Sequence, residues 1–205
     1  MGISERRKKE KLEMRQAILD AAMRLFIEEG YEAVSIRRIA EKIEYSPSTI
    51  YLYFEDKDAI FFELHTLGFT ELYKHQMEVQ NISDPRERLT AHGRAYLSFA
   101  LEHPEYYDLM FILKSPGLKI KECNTWVCGN RTYDLLKQNV LQCKEAGFFK
   151  DHDVDSISFV FWSIVHGMVS LHMRNRLIHF DTTGHGFNPL NLFEQALNIL
   201  RSFIV

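Results

Sequence analysis

The run of residues 46–53, SPSTIYLY, is rich in hydroxyl groups and contains no charged side chain. Uncharged hydroxyl groups can hydrogen bond to phosphate oxygens or to the edges of bases, and no carboxylate in this run repels a phosphate backbone. Lys57 follows, where its ammonium can neutralise a phosphate. The chemistry that suits this stretch is contact with a nucleic acid. The outward-pointing hydroxyl groups are predicted to be those of Ser48, Thr49, Tyr51 and Tyr53.

Two short amphipathic helices must position these side chains. The first begins after Ser35, whose hydroxyl can cap a helix N-terminus, and its apolar residues recur at helical spacing. After a brief turn at Glu44 and Tyr45, the second helix begins with Ser46 as cap and Pro47 in its first turn, where a missing N–H costs nothing. Helices this short, joined by so tight a turn, predict a helix-turn-helix whose second helix can enter a major groove.

The sequence from Ser46 to Lys57 resembles the recognition helix of the TetR family of transcriptional regulators, and SIRRIAEKI before it resembles that family's second helix. The resemblance covers about residues 12–75. One departure is Glu44, which replaces the family's common turn glycine, so we predict positive φ at a non-glycine residue. We predict base or groove contacts from Pro47, Ser48, Thr49 and Tyr51. Phosphate contacts are predicted for Ser35, Arg37, Tyr51, Tyr53 and Lys57.

Composition, charge and motif content limit which other functions the sequence indicates. The chain has 205 residues and a net charge of −3, and residues 1–60 carry 11 Lys and Arg against 12 Asp and Glu, so charge alone does not indicate nucleic-acid binding. Three cysteines suit a reducing cytoplasm rather than a disulfide framework. The N-terminus lacks the apolar segment of a signal peptide, and no apolar run reaches the length of a membrane span. No phosphate loop, HExxH or nucleophile elbow indicates an enzyme.

A basic cluster near the N-terminus, residues 6–11, permits two interpretations. It could be an arm that reaches along a DNA backbone or into a minor groove. It could equally be a solvated, partly disordered extension of the first helix. A third use, attachment to a membrane surface, lacks a basic amphipathic face downstream.

The body of the protein, after the helix-turn-helix, reads as a series of helices rich in aromatic residues. Residues 103–111 and 162–171 resemble the body of a TetR subgroup with a Trp…His-Gly motif, which implies a ligand-binding and dimerisation domain. For each of these aromatic residues, ordinary packing in the core is the alternative to lining a ligand pocket, and His166 could be a core histidine. The predicted pocket residues are Tyr96, Met110, Trp126, Trp162 and His166.

Residues 157–171, ISFVFWSIVHGMVSL, are apolar around the whole helix, with 10 large hydrophobic residues out of 15. A helix apolar on every face is buried on every face, so we expect one side to face the domain core and the other a second copy of the chain. The last helix, about 188–204, would complete a four-helix, two-fold interface. The predicted interface residues are Phe161, Val165, Leu197 and Leu200.

We predict no metal site and no cofactor. His172 and His179 share a helix face only if the helix persists, and no third ligand is evident. Cys123 and Cys128 diverge by about 140° around a helix.

Together these observations predict an all-α protein with a three-helix head containing the helix-turn-helix and a helical body, about nine helices in all. We predict a DNA-binding domain over 1–56 and a ligand-binding and dimerisation domain over 57–205. The predicted function is a cytoplasmic, homodimeric transcriptional regulator, with repression favoured over activation, that binds a palindromic double-stranded DNA operator and responds to a small-molecule effector. The alternative is an all-helical small-molecule-binding or catalytic protein whose head is non-functional.

Overall fold

A computed structural model describes residues 2–114, 126–177 and 188–204, and nearly all of this part of the chain is helical. Nine α-helices lie within it, together with a short 3₁₀ turn at Tyr31–Ala33 and a turn of π-helix at Asp108–Ile112. The α-helices are α1 (Ile3–Glu29), α2 (Ile36–Lys42), α3 (Pro47–Tyr51), α4 (Lys57–Glu78), α5 (Pro85–Glu102), α6 (Pro104–Tyr107), α7 (Val127–Glu145), α8 (Val154–Met173) and α9 (Pro189–Ser202).

The chain forms two units, each with its own core. The first unit comprises residues 1–68 and 105–126, and the second comprises 69–104 and 127–205. Helix α4 contributes its first half to one unit and its second half to the other. The domain boundary between residues 56 and 57 stays a prediction.

The core of the first unit is built from one apolar face of each head helix. Ile18 of α1, Ile39 of α2, Ile50 of α3 and Phe61 of α4 are all fully buried there. Leu109 of the π-helical turn joins the same cluster. A head whose helices each offer only a few apolar residues therefore gains stability from packing rather than from helix propensity.

The caps of the two short helices match the sequence prediction. The Ser35 hydroxyl accepts a hydrogen bond from the Arg38 N–H at the start of α2, and the Ser46 hydroxyl accepts one from the Thr49 N–H at the start of α3. Between the helices, Glu44 has a φ of 60°, which confirms the predicted left-handed turn at a non-glycine residue. This fold therefore tolerates the modest strain of a side chain in that conformation.

Arg15 of α1 fixes the end of the helix-turn-helix. Its guanidinium donates to the Tyr53 carbonyl oxygen (2.9 Å) and, through Nε, to Glu63 of α4 (2.8 Å). It also lies 4.2 Å from the centroid of the Phe54 ring. One side chain thus ties α1, the residues after α3, and α4 together.

The segment that follows α5 approaches α4 closely at a glycine. A Cβ on Gly68 would lie 2.5 Å from Met110 Sδ and 2.9 Å from a ring carbon of Tyr106. Glycine at this position therefore lets α6 and the π-helical turn pack directly against the α4 backbone.

The second unit packs α5, α7, α8 and α9 around a separate core. Leu89, Val140, Phe161 and Ile204 are among its buried residues. Half-exposed ion pairs join the helices at the surface, each worth at most about 1 kcal/mol. These pairs are Arg94–Glu194 (2.9 Å), Lys137–Asp155 (2.6 Å) and Arg201–Glu87 (2.6 Å).

Helix α8 is the one helix among the described residues that is long and apolar enough to cross a membrane. Of its most apolar stretch, 28% is buried within the protomer. A core or interface helix of a soluble protein meets the same criteria, so this property does not indicate a membrane span.

The last helix spans Pro189–Ser202, close to the predicted range of about 188–204. Residues 115–125, which include Cys123, lie outside the described part of the chain, and α7 is described from Val127 onward. Residues 178–187, which include His179, also lie outside it.

Candidate functional site

The surface of α3 is mostly open to solvent. Ile50 is fully buried, whereas Tyr51 is 58% exposed and Leu52, directly after the helix, is 76% exposed. Pro47 and Ser48 at the helix start are exposed, and Thr49 is half-buried. A helix that buries a single residue in the head leaves the remainder of its length accessible from solvent.

Three hydroxyl groups form a cluster at the N-terminal end of α3. Ser46 Oγ lies 2.8 Å from Ser48 Oγ and 3.0 Å from Thr49 Oγ1. Because the Ser46 hydroxyl also accepts the Thr49 N–H, the cluster is ordered before any ligand binds. Hydroxyl groups can both donate and accept, so the cluster can meet phosphate oxygens or base edges alike.

The residues predicted to contact phosphate have different surroundings. The side chain of Arg37 is 83% exposed, and its Nε donates to Glu41 one turn later. Ser35 is half-buried and its hydroxyl caps α2. Tyr53 is half-buried and packs against the head core. Of the side chains named in this paragraph, that of Arg37 is the most accessible.

Lys57 has partners inside the head. Its ammonium donates to the Tyr31 carbonyl oxygen (3.1 Å) and lies 3.9 Å from the centroid of the Tyr31 ring. The Tyr31 hydroxyl in turn donates to Asp58. This arrangement stabilises the junction between α1 and α4 and leaves Lys57 half-buried.

The basic N-terminal cluster is helical in the structure. It lies in the first turns of α1, where Arg6 pairs with Glu10 (2.8 Å) and Lys9 with Glu13 (3.6 Å). These exposed pairs one helical turn apart stabilise a helix only weakly. The geometry is that of a solvated helix extension.

Three of the five predicted pocket residues come together in the second unit. Tyr96 Oη and His166 Nδ1 share a hydrogen bond at 3.0 Å. The Trp162 ring centroid is 6.0 Å from that of His166 and 5.9 Å from that of Tyr133. Burial lowers the pKa of His166, so the imidazole is held in its neutral form. Met110 and Trp126 belong to the first unit, and Met110 packs against Gly68.

A second polar pair in the body is fully enclosed. The Asn139 amide nitrogen donates to His92 Nδ1 at 3.1 Å, and both residues are buried. Burial lowers the pKa of His92 to about 4. Sequence reasoning missed this pair, because its members are 47 positions apart in the chain and no motif links them.

Three of the four predicted interface residues are buried within one protomer. Phe161, Val165 and Leu197 are 7%, 4% and 1% exposed within one protomer, and Leu200 is half-buried. The first three side chains pack inside their own protomer, so they do not offer surface to a second copy. The other faces of the same helices carry the exposed apolar residues, which are Phe159, Val160, Leu171, Leu190, Ile199 and Phe203.

Two sequence profiles match the chain. One, described as bacterial regulatory proteins of the tetR family, matches residues 18–64. The other, described as a tetracyclin repressor-like C-terminal domain, matches residues 89–199, more than half of the chain. The chain belongs to the TetR family. The family predicted from residues 46–57 is therefore confirmed.

Curated relatives of this TetR-family chain are transcriptional regulators. It is 28% identical over 145 residues to the HTH-type transcriptional regulator HbdR of Aromatoleum sp. (strain CIB), an alignment covering 67% of this chain and 61% of HbdR. It is 46% identical over 50 residues to the HTH-type transcriptional repressor Rv1474c of Mycobacterium tuberculosis, covering 24% of this chain and 27% of that repressor. The chain thus spans about three fifths of the length of HbdR.

Solved structures share the TetR-family fold. The fatty acid degradation regulator FadR from Bacillus halodurans superposes with a TM-score of 0.71 at 20% identity, covering 91% of this chain and 93% of FadR. The TetR-family regulator PfmR from Thermus thermophilus superposes with a TM-score of 0.65 at 20% identity, covering 92% of this chain and 98% of PfmR. These likenesses confirm the all-α architecture with an N-terminal helix-turn-helix head.

Proposed function

We propose that this TetR-family protein is a cytoplasmic, homodimeric transcriptional regulator that binds a palindromic operator and responds to a small-molecule effector. The observation that carries the proposal is the exposure of α3, the second helix of the helix-turn-helix. A recognition helix must present side chains to the base edges of a major groove, and the exposed face of α3, which includes Tyr51, can do so.

In the proposed complex, α3 enters the major groove by its N-terminal end. Pro47, Ser48, Thr49 and Tyr51 contact base edges or the groove wall, and the ordered hydroxyl cluster lowers the entropy lost on binding. Arg37 is the accessible cation among the predicted phosphate contacts, with Ser35, Tyr53 and Lys57 as further candidates.

The dimer interface in this proposal uses the outward faces of α8 and α9. On α8, Val160, Ile164, Gly167 and Leu171 follow at helical spacing along a row about 90° around the helix from Phe161. A Cβ on Gly167 would meet no described atom within 4 Å, so this position is open in one protomer and would let a second helix approach closely.

Helix α9 carries a second row of apolar residues for the proposed interface. Leu192, Ala196, Ile199 and Phe203 recur every three to four residues, and Ile199 and Phe203 are 57% and 67% exposed. The rings of His172 in α8 and Phe193 in α9 lie 5.7 Å apart, so the two helices pack together. Two such helices from each protomer would form a two-fold, four-helix interface.

The effector in this proposal binds in the body beside Tyr96, Trp162 and His166. The hydrogen-bonded Tyr96–His166 pair offers a donor and an acceptor within aromatic surroundings, which suits a mainly apolar molecule with a polar group. Binding would move the segment that starts at Pro104, and this segment contacts α4 at Gly68. In the dimer, this movement would change the distance between the two DNA-binding heads. If the effector binds the conformation whose head spacing does not fit the operator more tightly by a few kcal/mol, most of the protein would dissociate from the operator.

The test is selection of bound sites from random double-stranded DNA with the full chain, followed by titration of the selected site across salt concentrations. We expect enrichment of a palindrome, one dimer per site, and an affinity that falls steeply with salt. The matched control is Tyr51→Ala, which should enrich the palindrome less than the wild type does while keeping its helical content. Failure of the wild-type protein to enrich any sequence would contradict the proposal and favour an all-helical binding protein with a non-functional head.

A further inference from the structure

Two histidines and a glutamate meet in the second unit, away from the Tyr96–His166 pair. Glu71 and His75 lie one turn apart on the same face of α4, and His103 immediately follows α5. One ligand atom from each of the three side chains lies within 4.8 Å of the other two. All three residues are half-buried, so the cluster is held by the protein and is still open to ions from solvent.

An aromatic residue orients the two imidazoles. Phe99 is fully buried, and its ring centroid is 5.9 Å from that of His75 and 5.6 Å from that of His103. The two histidine rings are 6.0 Å apart and nearly perpendicular, with an interplanar angle of 83°. Both rings are therefore packed from one side, which reduces the entropy that ordering them would cost.

The charge around the cluster favours a cation. Glu102 is a further carboxylate, with one oxygen 3.9 Å from His75 Nε2. A hydrogen bond from Lys74, together with the charge of Lys74, outweighs the opposing effect of burial and lowers the pKa of Glu71, so Glu71 is ionised. The cluster also lies at the last turns of α4 and α5, where the helix dipoles carry partial negative charge.

We propose that Glu71, His75 and His103 bind one divalent transition-metal ion, for which Zn²⁺ is the best match. Two imidazoles and one carboxylate are a donor set that Zn²⁺ accepts, with water or Glu102 in the fourth position. Ligand atoms around a tetrahedral Zn²⁺ lie about 3.3 Å apart, so the atoms of this cluster, which lie within 4.8 Å of one another, need to close by at most about 1.5 Å, which side-chain rotation supplies. The ion would link α4 to the end of α5.

Lys74 competes with the metal in this arrangement. Its ammonium donates to Glu71 at 2.6 Å, and its side chain is 63% exposed, so it can swing into solvent when an ion binds. Binding must break this ion pair and place a second positive charge nearby. Lys74→Gln should therefore bind the metal more tightly than the wild-type protein, a result that a purely structural cluster does not predict.

The experiment titrates the full chain, freed of metal by a chelator, with Co²⁺ followed spectroscopically and then with Zn²⁺ as competitor. We expect one ion per protomer and a Co²⁺ absorption band typical of nitrogen and oxygen ligands in a four-coordinate site. Glu71→Gln, His75→Gln and His103→Gln should each weaken binding at least about tenfold, equivalent to roughly 1.4 kcal/mol. His152→Gln, which removes an exposed imidazole from a loop, is the matched control and should bind as the wild type.

Thermal melting of each variant without metal identifies any that fails to fold. In the folded variants, Zn²⁺ should raise the melting temperature of the wild type and of Lys74→Gln but not of His75→Gln. The proposal is overturned if the wild type binds no stoichiometric ion, or if His75→Gln and His103→Gln bind Co²⁺ with wild-type affinity and spectrum.

Discussion

Lys57 Nζ donates to the Tyr31 carbonyl oxygen at 3.1 Å and lies 3.9 Å from the centroid of the Tyr31 ring. The residue that the sequence suggests as a phosphate ligand is therefore also part of the head's own structure. The two roles are compatible, because an ammonium has three donors and Lys57 is only half-buried.

The two roles of Lys57 can be separated by salt dependence. Lys57→Ala should lower the melting temperature, because the Tyr31 contacts are lost. If Lys57 also neutralises a phosphate, the slope of log affinity against log salt should become shallower by about 0.9 per protomer. Fluorescence anisotropy with the selected operator measures this, and Lys150→Ala, an exposed lysine of the body, is the control. A weaker affinity with an unchanged salt slope would show that Lys57 stabilises the head and does not contact a phosphate.

Tyr51 should act in DNA binding without contributing to stability. Its side chain is 58% exposed, so Tyr51→Ala should melt like the wild type but bind the operator about tenfold more weakly, from the loss of roughly 1–2 kcal/mol of groove contacts. Tyr51→Phe tells whether the hydroxyl or the ring is responsible. Full operator affinity in Tyr51→Ala would remove this residue from the interface.

Substitutions that introduce a charged or bulky side chain on the outward face of α8 or α9 should convert the dimer into monomers. Phe203→Glu and Gly167→Leu should each give folded monomers by light scattering with retained helical circular dichroism, because both positions are open within one protomer. Leu141→Glu, at an exposed apolar position on α7, should remain dimeric. Phe161→Glu should unfold the protein instead, because its side chain is buried. Dimers in both outward-face variants would place the interface elsewhere.

Stability should decrease as the pH falls from about 6.5 to about 4. Burial lowers the pKa values of His92 and of His65 to about 4, so in this window the unfolded chain binds protons that the folded chain does not. Each histidine can contribute a slope of up to about 1.4 kcal/mol per pH unit. His92→Gln should remove the contribution of His92 in urea unfolding measured with chelator present, whereas His152→Gln should leave the pH profile unchanged. An equal slope in wild type and His92→Gln would contradict the assignment.

The close contact of Gly68 in α4 with α6 and the π-helical turn should control packing in the first unit. Gly68→Ala should destabilise the protein by about 1–3 kcal/mol, because its Cβ would meet Met110 and Tyr106. Adding Met110→Ala should recover part of that loss, which a double-mutant cycle measures as a coupling between the two positions. Additive effects would show that the segment adjusts independently of Gly68.

Local sequence predicted those features that depend on local chemistry. Ser35 and Ser46 cap their helices because a hydroxyl next to a helix start satisfies an N–H that otherwise has no partner. The turn at Glu44 follows from its place between two such helices, even though the residue is not glycine. The pattern of residues 35–57, which spans both short helices and the start of α4, predicted the family.

The faces of α8 could not be predicted in the same way. With 10 large apolar residues out of 15, this helix has no polar side to orient it, so Phe161 and Phe159 were indistinguishable in sequence. Packing buried the former and left the latter 59% exposed. The interface prediction therefore named residues on the inward face of α8.

The sequence by itself determined that the chain is helical, where its short helices begin, and that it carries a recognition helix, because caps, turns and apolar spacing act over a few residues. Only the tertiary structure decided which distant side chains meet. Tyr96 finds His166 across 70 residues, and His103 joins Glu71 and His75 from the end of another helix. Such contacts are set by how helices pack, and helix packing depends on the whole core rather than on any local pattern.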